Sequence, residues 1–365
     1  MSGNSNNQIS SLLTERIAAE DFPSAVYLVG ANGEPVYADA LGMAVTEPEI
    51  PSTLETIFDL ASLTKPLVTG LLLAQRIERK AIKVDDRVAR YLDEFDRDDK
   101  REITIRQLIT HTSGLPAWQP LYAITHGDRD QVVKALASQS LQSEIGTRVL
   151  YSDLGFIALG IVLERMEGAS LAELARGEIF KPLKLHDTYF NPPSSIRNSI
   201  AASETGNAFE REMCGEDCIE YRDWRENLIW GEVHDGNAYF LGGAAGHAGL
   251  FSTANETLRL ACQFISGRSE LLLPETCTLF RTNLTQGLGE ARSFAWQLAE
   301  TKESTAGGAL PSDSFGHLGF TGTSCWIDPT NERVFILLTN RTHGHSPPFV
   351  NINSVRREFH SLGAI

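Results

Sequence analysis

Asp59-Leu60-Ala61-Ser62-Leu63-Thr64-Lys65-Pro66 runs directly into Leu67-Val68-Thr69-Gly70-Leu71-Leu72-Leu73-Ala74. Ile57 and Phe58 ahead of it read as the end of a strand, and the apolar octet behind it reads as a buried helix. Ser62 and Lys65 are three residues apart, so on a helix they project from one face. A serine in the first turn also feels the positive end of the helix dipole, which favours negative charge developing on its oxygen. A lysine partly desolvated by the apolar run would have a lowered pKa and accept the serine proton. Chance alone gives roughly one such S-x-x-K in a chain of this size at average composition, and a serine cap followed by a surface lysine also produces it. The pair gains chemical meaning only from what else the chain carries.

The chain has 365 residues, 42% hydrophobic and 22% charged, an ordinary globular composition. This length is large for one simple core and points to two lobes. A formal net charge of -15 argues against nucleic acid and anionic membrane surfaces as partners. Met1-Ser2-Gly3-Asn4-Ser5-Asn6-Asn7-Gln8 has no apolar signal core, and no run approaches membrane-spanning length. A cytoplasmic protein is expected, or a periplasmic one if a leader has been removed. The 5 cysteines, Cys214, Cys218, Cys262, Cys277 and Cys325, form an odd, scattered set that suits a reducing compartment. Cys214, Cys218 and His234 match no standard metal spacing, and His343-Gly344-His345 reads as a loop. Neither a metal nor an organic cofactor is expected, and oligomeric state is left open.

Along the chain, Ser10 to Ala19 reads as a short amphipathic helix with Leu12, Leu13 and Ile17 on one face. Ser24 to Gly30 and Pro35 to Ala40 read as strands joined by an Asn32-Gly33 turn. Helical spacing then dominates: Val84 to Leu92, Ile103 to Ile109, Asp130 to Ser138, Asp153 to Glu167 stopped by Gly168, and Ser170 to Phe180. Strand and loop character returns at Val233 to Phe240, before the glycine-rich Leu241 to Leu250. Thr253 or Asn255 caps a helix running to about Ile265. Ser293 to Leu298 reads as a strand, Gly316 to Ile327 and Arg333 to Thr339 as a hairpin, and Val350 to His360 as a closing helix. The economical architecture is a sheet lobe built from both ends with a helical lobe inserted. Ser62 falls at their junction, where a cleft would lie.

Tyr151-Ser152-Asp153 stands just before the longest helix. Its phenol could relay a proton while the polar side chain two residues on holds Lys65; the triplet also reads as an aromatic staple with Asp153 as the helix cap. Phe315-Gly316-His317-Leu318-Gly319-Phe320-Thr321-Gly322-Thr323 has small residues that let a strand approach a ligand, with the His317 ring directed into the cleft. His234-Asp235 and His247 read as capping or core groups.

Taken in order, these elements form a set. Leu108-Ile109-Thr110-His111-Thr112-Ser113-Gly114-Leu115-Pro116 and the segment from Gly246-His247-Ala248-Gly249 to Thr253 complete it. The chain resembles the serine β-lactamase and penicillin-binding family, on the branch with class C β-lactamases, D-alanyl-D-alanine carboxypeptidases and related esterases. The likeness runs from about Ala25 to the final helix. It implies an α+β fold of the β-lactamase/transpeptidase type, an antiparallel sheet flanked by helices with a mostly helical lobe inserted. One catalytic domain is expected over 1–365, with the sheet lobe near 1–65 and 230–365 and the helical lobe near 66–229.

The resemblance implies Ser62 as the acylated nucleophile, Lys65 as its proton partner, and Tyr151 as general base or proton shuttle. His317 takes the first position of the family's K-T-G strand motif, and Gly319 and Phe320 follow as substrate-binding backbone. The Ser62 and Phe320 amides would form the oxyanion hole. Two departures matter. Asp153 stands where the family usually has asparagine; its carboxylate should keep Lys65 protonated, which makes Tyr151 the stronger acceptor. Leu318 replaces a hydroxyl residue, so a substrate carboxylate loses a hydrogen bond worth about 1.5–3 kcal/mol. Arg341, or a protonated His317, would compensate. The expected function is a serine hydrolase forming a covalent acyl-enzyme with a small or peptide-like ester, D-amino-acid amide or β-lactam. Esterase or D-Ala peptidase activity is favoured. The alternatives are a dedicated class C-like β-lactamase and a catalytically weak member that binds a peptidoglycan fragment or a partner.

Overall fold

The computed structural model describes residues 2–218 and 220–364. Its frame is a seven-stranded antiparallel sheet. The strands β1 (Ser24–Ala31), β2 (Glu34–Val45) and β3 (Ile50–Pro51) come from the N-terminal part of the chain. A second, three-stranded sheet consists of β4 (Phe58–Asp59), β5 (Tyr189–Phe190) and β6 (Leu250–Ser252), in the order β4-β6-β5. β7 (Gln297–Leu298), β8 (Phe315–Leu318), β9 (Ser324–Asp328) and β10 (Arg333–Thr339) complete the large sheet, whose order is β3-β2-β1-β10-β9-β8-β7. The first strand therefore pairs with the last, Val26 opposite Leu338. Asn32 and Gly33 both have positive φ, 55° and 84°, as the tight turn between β1 and β2 requires.

The central strands are apolar on both faces, and the two-residue period sorts their side chains into two cores. Val26 and Leu28 of β1, with Val334, Ile336 and Leu338 of β10, enter the larger core. Ala25, Tyr27 and Val29, with Phe335 and Leu337, enter the other. The second face is covered by the helices Ser2–Ala18 and Asn353–Gly363, through Ile9, Leu13, Val355 and Phe359. The first helix is thus longer than its amphipathic core at Ser10 suggests. On the opposite face, Lys65–Gly70 forms a wide π-helical turn continued by the α-helix Leu71–Glu78. Every residue from Lys65 to Arg76 is buried, which explains the unbroken apolar octet.

Several boundaries follow local chemistry. Thr104 with Gln107, and Ser170 with Glu173, form reciprocal capping boxes. Thr253 accepts the Glu256 amide and caps Ala254–Ala261. Gly168, at φ 64°, ends the Asp153–Glu167 helix. Elsewhere tertiary contacts override the pattern. Val84 to Leu92 contains only a short turn at Val88–Arg90. Val233 to Phe240, expected as strand and loop, carries the helix Gly236–Phe240, capped by Asp235. Gly316 to Ile327 is two strands, β8 and β9, separated by a tight turn, and Ser293 to Leu298 is strand only at its end.

The helix Asp153–Glu167 meets the glycine-rich segment at almost zero clearance. A Cβ on Gly246 would lie 1.9 Å from the Phe156 carbonyl oxygen and 2.8 Å from the Gly160 amide nitrogen. This contact fixes the chain around His247, whose carbonyl oxygen accepts a hydrogen bond from Lys65. Gly246→Ala is therefore expected to cost about 1–3 kcal/mol of stability through overpacking, read as a lowered urea midpoint at unchanged m-value. An unchanged midpoint would show that the helix and the loop can separate freely.

Candidate active site

Ser62 lies on a 3₁₀ turn, Ala61–Leu63, immediately after β4. The turn is held from several directions. The buried Asp59 carboxylate accepts the Ala61 amide at 2.8 Å and the His234 amide at 2.8 Å. Thr321 and Thr323, between β8 and β9, donate hydroxyl hydrogen bonds to the Asp59 and Leu60 carbonyls at 2.7 and 3.0 Å. A Cβ on Gly319 would come within 2.6 Å of the Leu60 carbonyl oxygen, so glycine is what lets the strand end approach the turn. Ala61 itself is held at φ 47°, an unusual value for a residue with a side chain.

Lys65 is completely buried. Its ammonium donates to Ser62 Oγ at 2.8 Å and to the His247 carbonyl oxygen at 3.1 Å, and pairs with Asp153 Oδ1 at 2.6 Å. Burial disfavours its charge, but the Asp153 carboxylate, with Tyr151, outweighs burial and raises Lys65 above the ordinary lysine value. Desolvation alone predicts the reverse, so the expected lowering does not occur. Asp153 also does not cap its helix: Ser152 Oγ accepts the Gly155 amide, which leaves the Asp153 carboxylate for Lys65.

Tyr151 stands beside both groups: the Lys65 ammonium lies 5.0 Å from its ring centroid, and it lines the same cavities as Ser62. Burial pushes its phenol up, and the nearby Lys65 charge opposes that rise. The Leu108–Pro116 segment builds the wall behind it. The His111 ring lies 4.4 Å from the Tyr151 ring, and His111 Nδ1 accepts the Ser152 amide at 3.0 Å. His317 stands elsewhere than expected. It is 4% exposed, its ring lies 5.9 Å from the Tyr151 ring, and its Nδ1 faces the Leu318 carbonyl oxygen at 2.9 Å. Burial, Lys65 and Arg292 hold it well below the ordinary histidine range. It therefore supplies no positive charge to a substrate at neutral pH.

A cavity of about 240 Å³ opens at Ser62, lined by Tyr151, Asp153, Trp118, Phe209, Glu210 and Phe320. Glu210 accepts hydrogen bonds from Tyr122 and the Gly236 amide. Burial and Asp235 push it up to about 7. A second cavity, of about 510 Å³, also begins at Ser62 and extends over Leu318 to Arg341 and Arg356. A larger hollow of about 1050 Å³, near Tyr122 and Trp224, reaches Glu210 but none of Ser62, Lys65 or Tyr151, so the reactive geometry belongs to the two smaller spaces. Among the described residues, the Ser62 and Phe320 amides donate to no protein acceptor.

Arg341 packs its guanidinium 5.0 Å from the Phe320 ring and donates to the Phe320 carbonyl oxygen at 2.7 Å. Arg356, on the closing helix, donates to the Gly319 and Thr323 carbonyls at 3.0 and 2.9 Å and to Asn353 at 2.9 Å. Burial lowers Arg341 to about 10; burial and Arg341 lower Arg356 to about 9. Neither forms an ion pair among the described residues. Arg356 escaped the sequence reading because a helical arginine near the end of a chain carries no local signal of its position over Gly319. His234 pairs with Glu204 at 2.7 Å and His247 with Asp235 at 2.8 Å, so these groups brace the wall in capping and core roles. No group of three or more His, Cys, Asp or Glu is arranged to hold a metal among the described residues, and no helix there is long and apolar enough to cross a membrane.

Known proteins share this architecture. A protein of Escherichia coli K12 named "Putative D-alanyl-D-alanine carboxypeptidase" is 29% identical over 371 residues, covering 92% of this chain and 82% of its own. An N-acetylmuramyl-L-alanine amidase of Bacillus subtilis 168 is 30% identical, covering 91% and 80%. The structure of EstCE1, a hydrolase with promiscuous acyltransferase activity, superposes with a TM-score of 0.76 at 24% identity, over 98% of this chain and 99% of that one. The Beta-lactamase family model matches residues 9–356, which span both sheets and the Ser62 turn: the chain belongs to the beta-lactamase family.

Proposed function

We propose that the protein is a serine hydrolase that works through an acyl-enzyme on Ser62, with esters and D-amino-acid peptides as its substrate class. The observation that carries this reading is the buried Lys65 ammonium, hydrogen-bonded to Ser62 Oγ and paired with Asp153 beside the Tyr151 ring, at the mouth of two cavities. Because Asp153 keeps Lys65 protonated, the lysine orients Ser62 Oγ and steadies negative charge, and Tyr151 accepts the proton. Ser62 Oγ attacks the carbonyl carbon as its proton passes to Tyr151, which enters the step as its phenolate. The oxyanion is held by the Ser62 and Phe320 amides, which act most strongly on the charge developed in the transition state. Collapse breaks the ester or amide bond, and the leaving oxygen or nitrogen takes the proton from Tyr151. Water then repeats the sequence on the acyl-enzyme, and Ser62 recovers its proton.

Arg341 and Arg356 support a leaving side that bears a carboxylate. Leu318 offers no hydroxyl for that group, and the two arginines without carboxylate partners supply charge in its place. The same feature suits a β-lactam carboxylate, so a class C-like β-lactamase is the second reading. Intact-mass and turnover measurements with nitrocefin, penicillin and a short p-nitrophenyl ester separate them. Ester turnover with slow or persistent β-lactam adducts supports the first, and rapid turnover of both β-lactams the second. No adduct from any donor would favour a binding protein and overturn the enzyme reading.

Ser62→Ala is expected to abolish both labelling and turnover, and Tyr151→Phe to lower kcat by about 10²–10⁴-fold. Asp153 raises the affinity of Tyr151 for its proton. Asp153→Asn should therefore move the acidic limb of the kcat/KM profile to lower pH, by about one unit; a limb displaced upward would exclude Tyr151 as the titrating acceptor. Arg356→Gln should raise KM for a carboxylate-bearing D-dipeptide by about 10–100-fold, the equivalent of one charged hydrogen bond. Neutral ester turnover should change far less, and equal losses on both would argue against a carboxylate site.

A further inference from the structure

Four nitrogen-bearing groups surround the Tyr151 ring, and only Lys65 has a place in the reaction proposed above. Lys65 Nζ lies 5.0 Å from the ring centroid, and the Arg292 guanidinium carbon 5.6 Å from it. The His111 and His317 rings approach to 4.4 and 5.9 Å. His111, His317 and Arg292 are 1%, 4% and 6% exposed. Each keeps one buried nitrogen without a hydrogen-bond partner among the described residues: Nε2 of both histidines and Nε of Arg292. Groups this costly to bury do not gather around one phenol without a reason in its chemistry.

Their protonation follows from their partners. His111 Nδ1 accepts a backbone amide, so its proton sits on Nε2. His317 Nδ1 donates to a backbone carbonyl, so its Nε2 carries a lone pair. Burial and the neighbouring cations hold both rings well below the ordinary histidine range. Arg292 is then the second cation at the ring, after Lys65. It is anchored by the Glu290 carboxylate at 2.6 Å and by its own amide on Thr285 Oγ1 at 2.8 Å. The carboxylates in this surround are Glu290 on Arg292 and Asp153 on Lys65.

We propose that Arg292 is a positioning residue for Tyr151: its guanidinium, held against the phenol ring beside the neutral imidazoles of His111 and His317, stabilises the phenolate that takes the Ser62 proton. This rests on the roles assigned above to Ser62 and Tyr151. A cation facing a phenol attracts the phenolate more strongly than the neutral ring, because the negative charge spreads onto the ring carbons. Burial acts in the opposite sense and favours the protonated phenol. Lys65 and Arg292 are the counterweights to it. The two imidazoles must stay neutral for this balance, since a further buried cation would repel both.

The test is the pH dependence of kcat/KM for a short p-nitrophenyl ester, with Arg292→Gln, Arg292→Lys, Glu290→Gln and Ser62→Ala beside the wild type. In Arg292→Gln the acidic limb should move up by about one unit. Arg292→Lys, which keeps the charge, should restore at least half of that displacement. Glu290→Gln, which leaves the guanidinium charge less neutralised, should move the limb down. Arg292→Gln coincident with wild type, or Arg292→Lys displaced as far as Arg292→Gln, would overturn the proposal. If Arg292→Gln does not fold, Glu290→Gln decides alone, and a limb unmoved or moved upward overturns it. Turnover that survives in Ser62→Ala would instead defeat the underlying assignment, whatever the limb does.

Discussion

The buried ammonium of Lys65 is the constraint on which the site depends. An unpaired charge at zero exposure would be strongly destabilising, so the chain has to bring acceptors to it. It does so from one neighbour and two distant regions: Ser62 three residues back, Asp153 at the start of its helix, and the His247 carbonyl in the glycine-rich segment. Each acceptor is fixed by its own local device. Asp59 and two threonine hydroxyls pin the Ser62 turn, Ser152 caps the helix and leaves Asp153 available, and Gly246 allows the loop to touch that helix. Satisfying one cation therefore locks the large sheet, the buried helix and the glycine-rich segment together.

That pairing also divides the chemical labour. A lysine drawn tightly onto a carboxylate is a poor base, so in the proposed reaction the Ser62 proton goes elsewhere. Tyr151 is the group within reach, but burial makes its phenol reluctant to ionise. The environment of Tyr151 thus becomes as important as that of Ser62. The turn that carries His111, the strand that carries His317 and the segment that carries Arg292 all meet at its ring.

Charge is distributed unevenly around Ser62. Asp153 lines both cavities; the smaller adds Glu210 and Asp235 to its walls, and the larger ends on Arg341 and Arg356. Under the proposed function, a substrate lying across Ser62 would meet Glu210 and Asp235 on one side and the two arginines on the other, a more selective arrangement than apolar contact alone. Phe320, against Phe209 at 4.7 Å and under Arg341 at 5.0 Å, forms part of the boundary between them.

The sequence by itself determined the α+β class, the hairpin at Asn32-Gly33, the buried run behind Ser62 and the helix caps at Ser170 and Thr253, and it pointed to Ser62, Lys65 and Tyr151 as one group. These are written in periodicity, turn chemistry and short motifs, all of which act within a few residues. It missed the Gly236–Phe240 helix and placed His317 in the cleft, because a short segment's state and a ring's direction depend on neighbours far away in the chain. The neutrality of His317 and the convergence of Arg292 and Arg356 on the site were decided only by the tertiary structure. Burial and Coulomb interactions depend on distance in space, and nothing local to residue 292 or 356 encodes its separation from Tyr151 or Gly319.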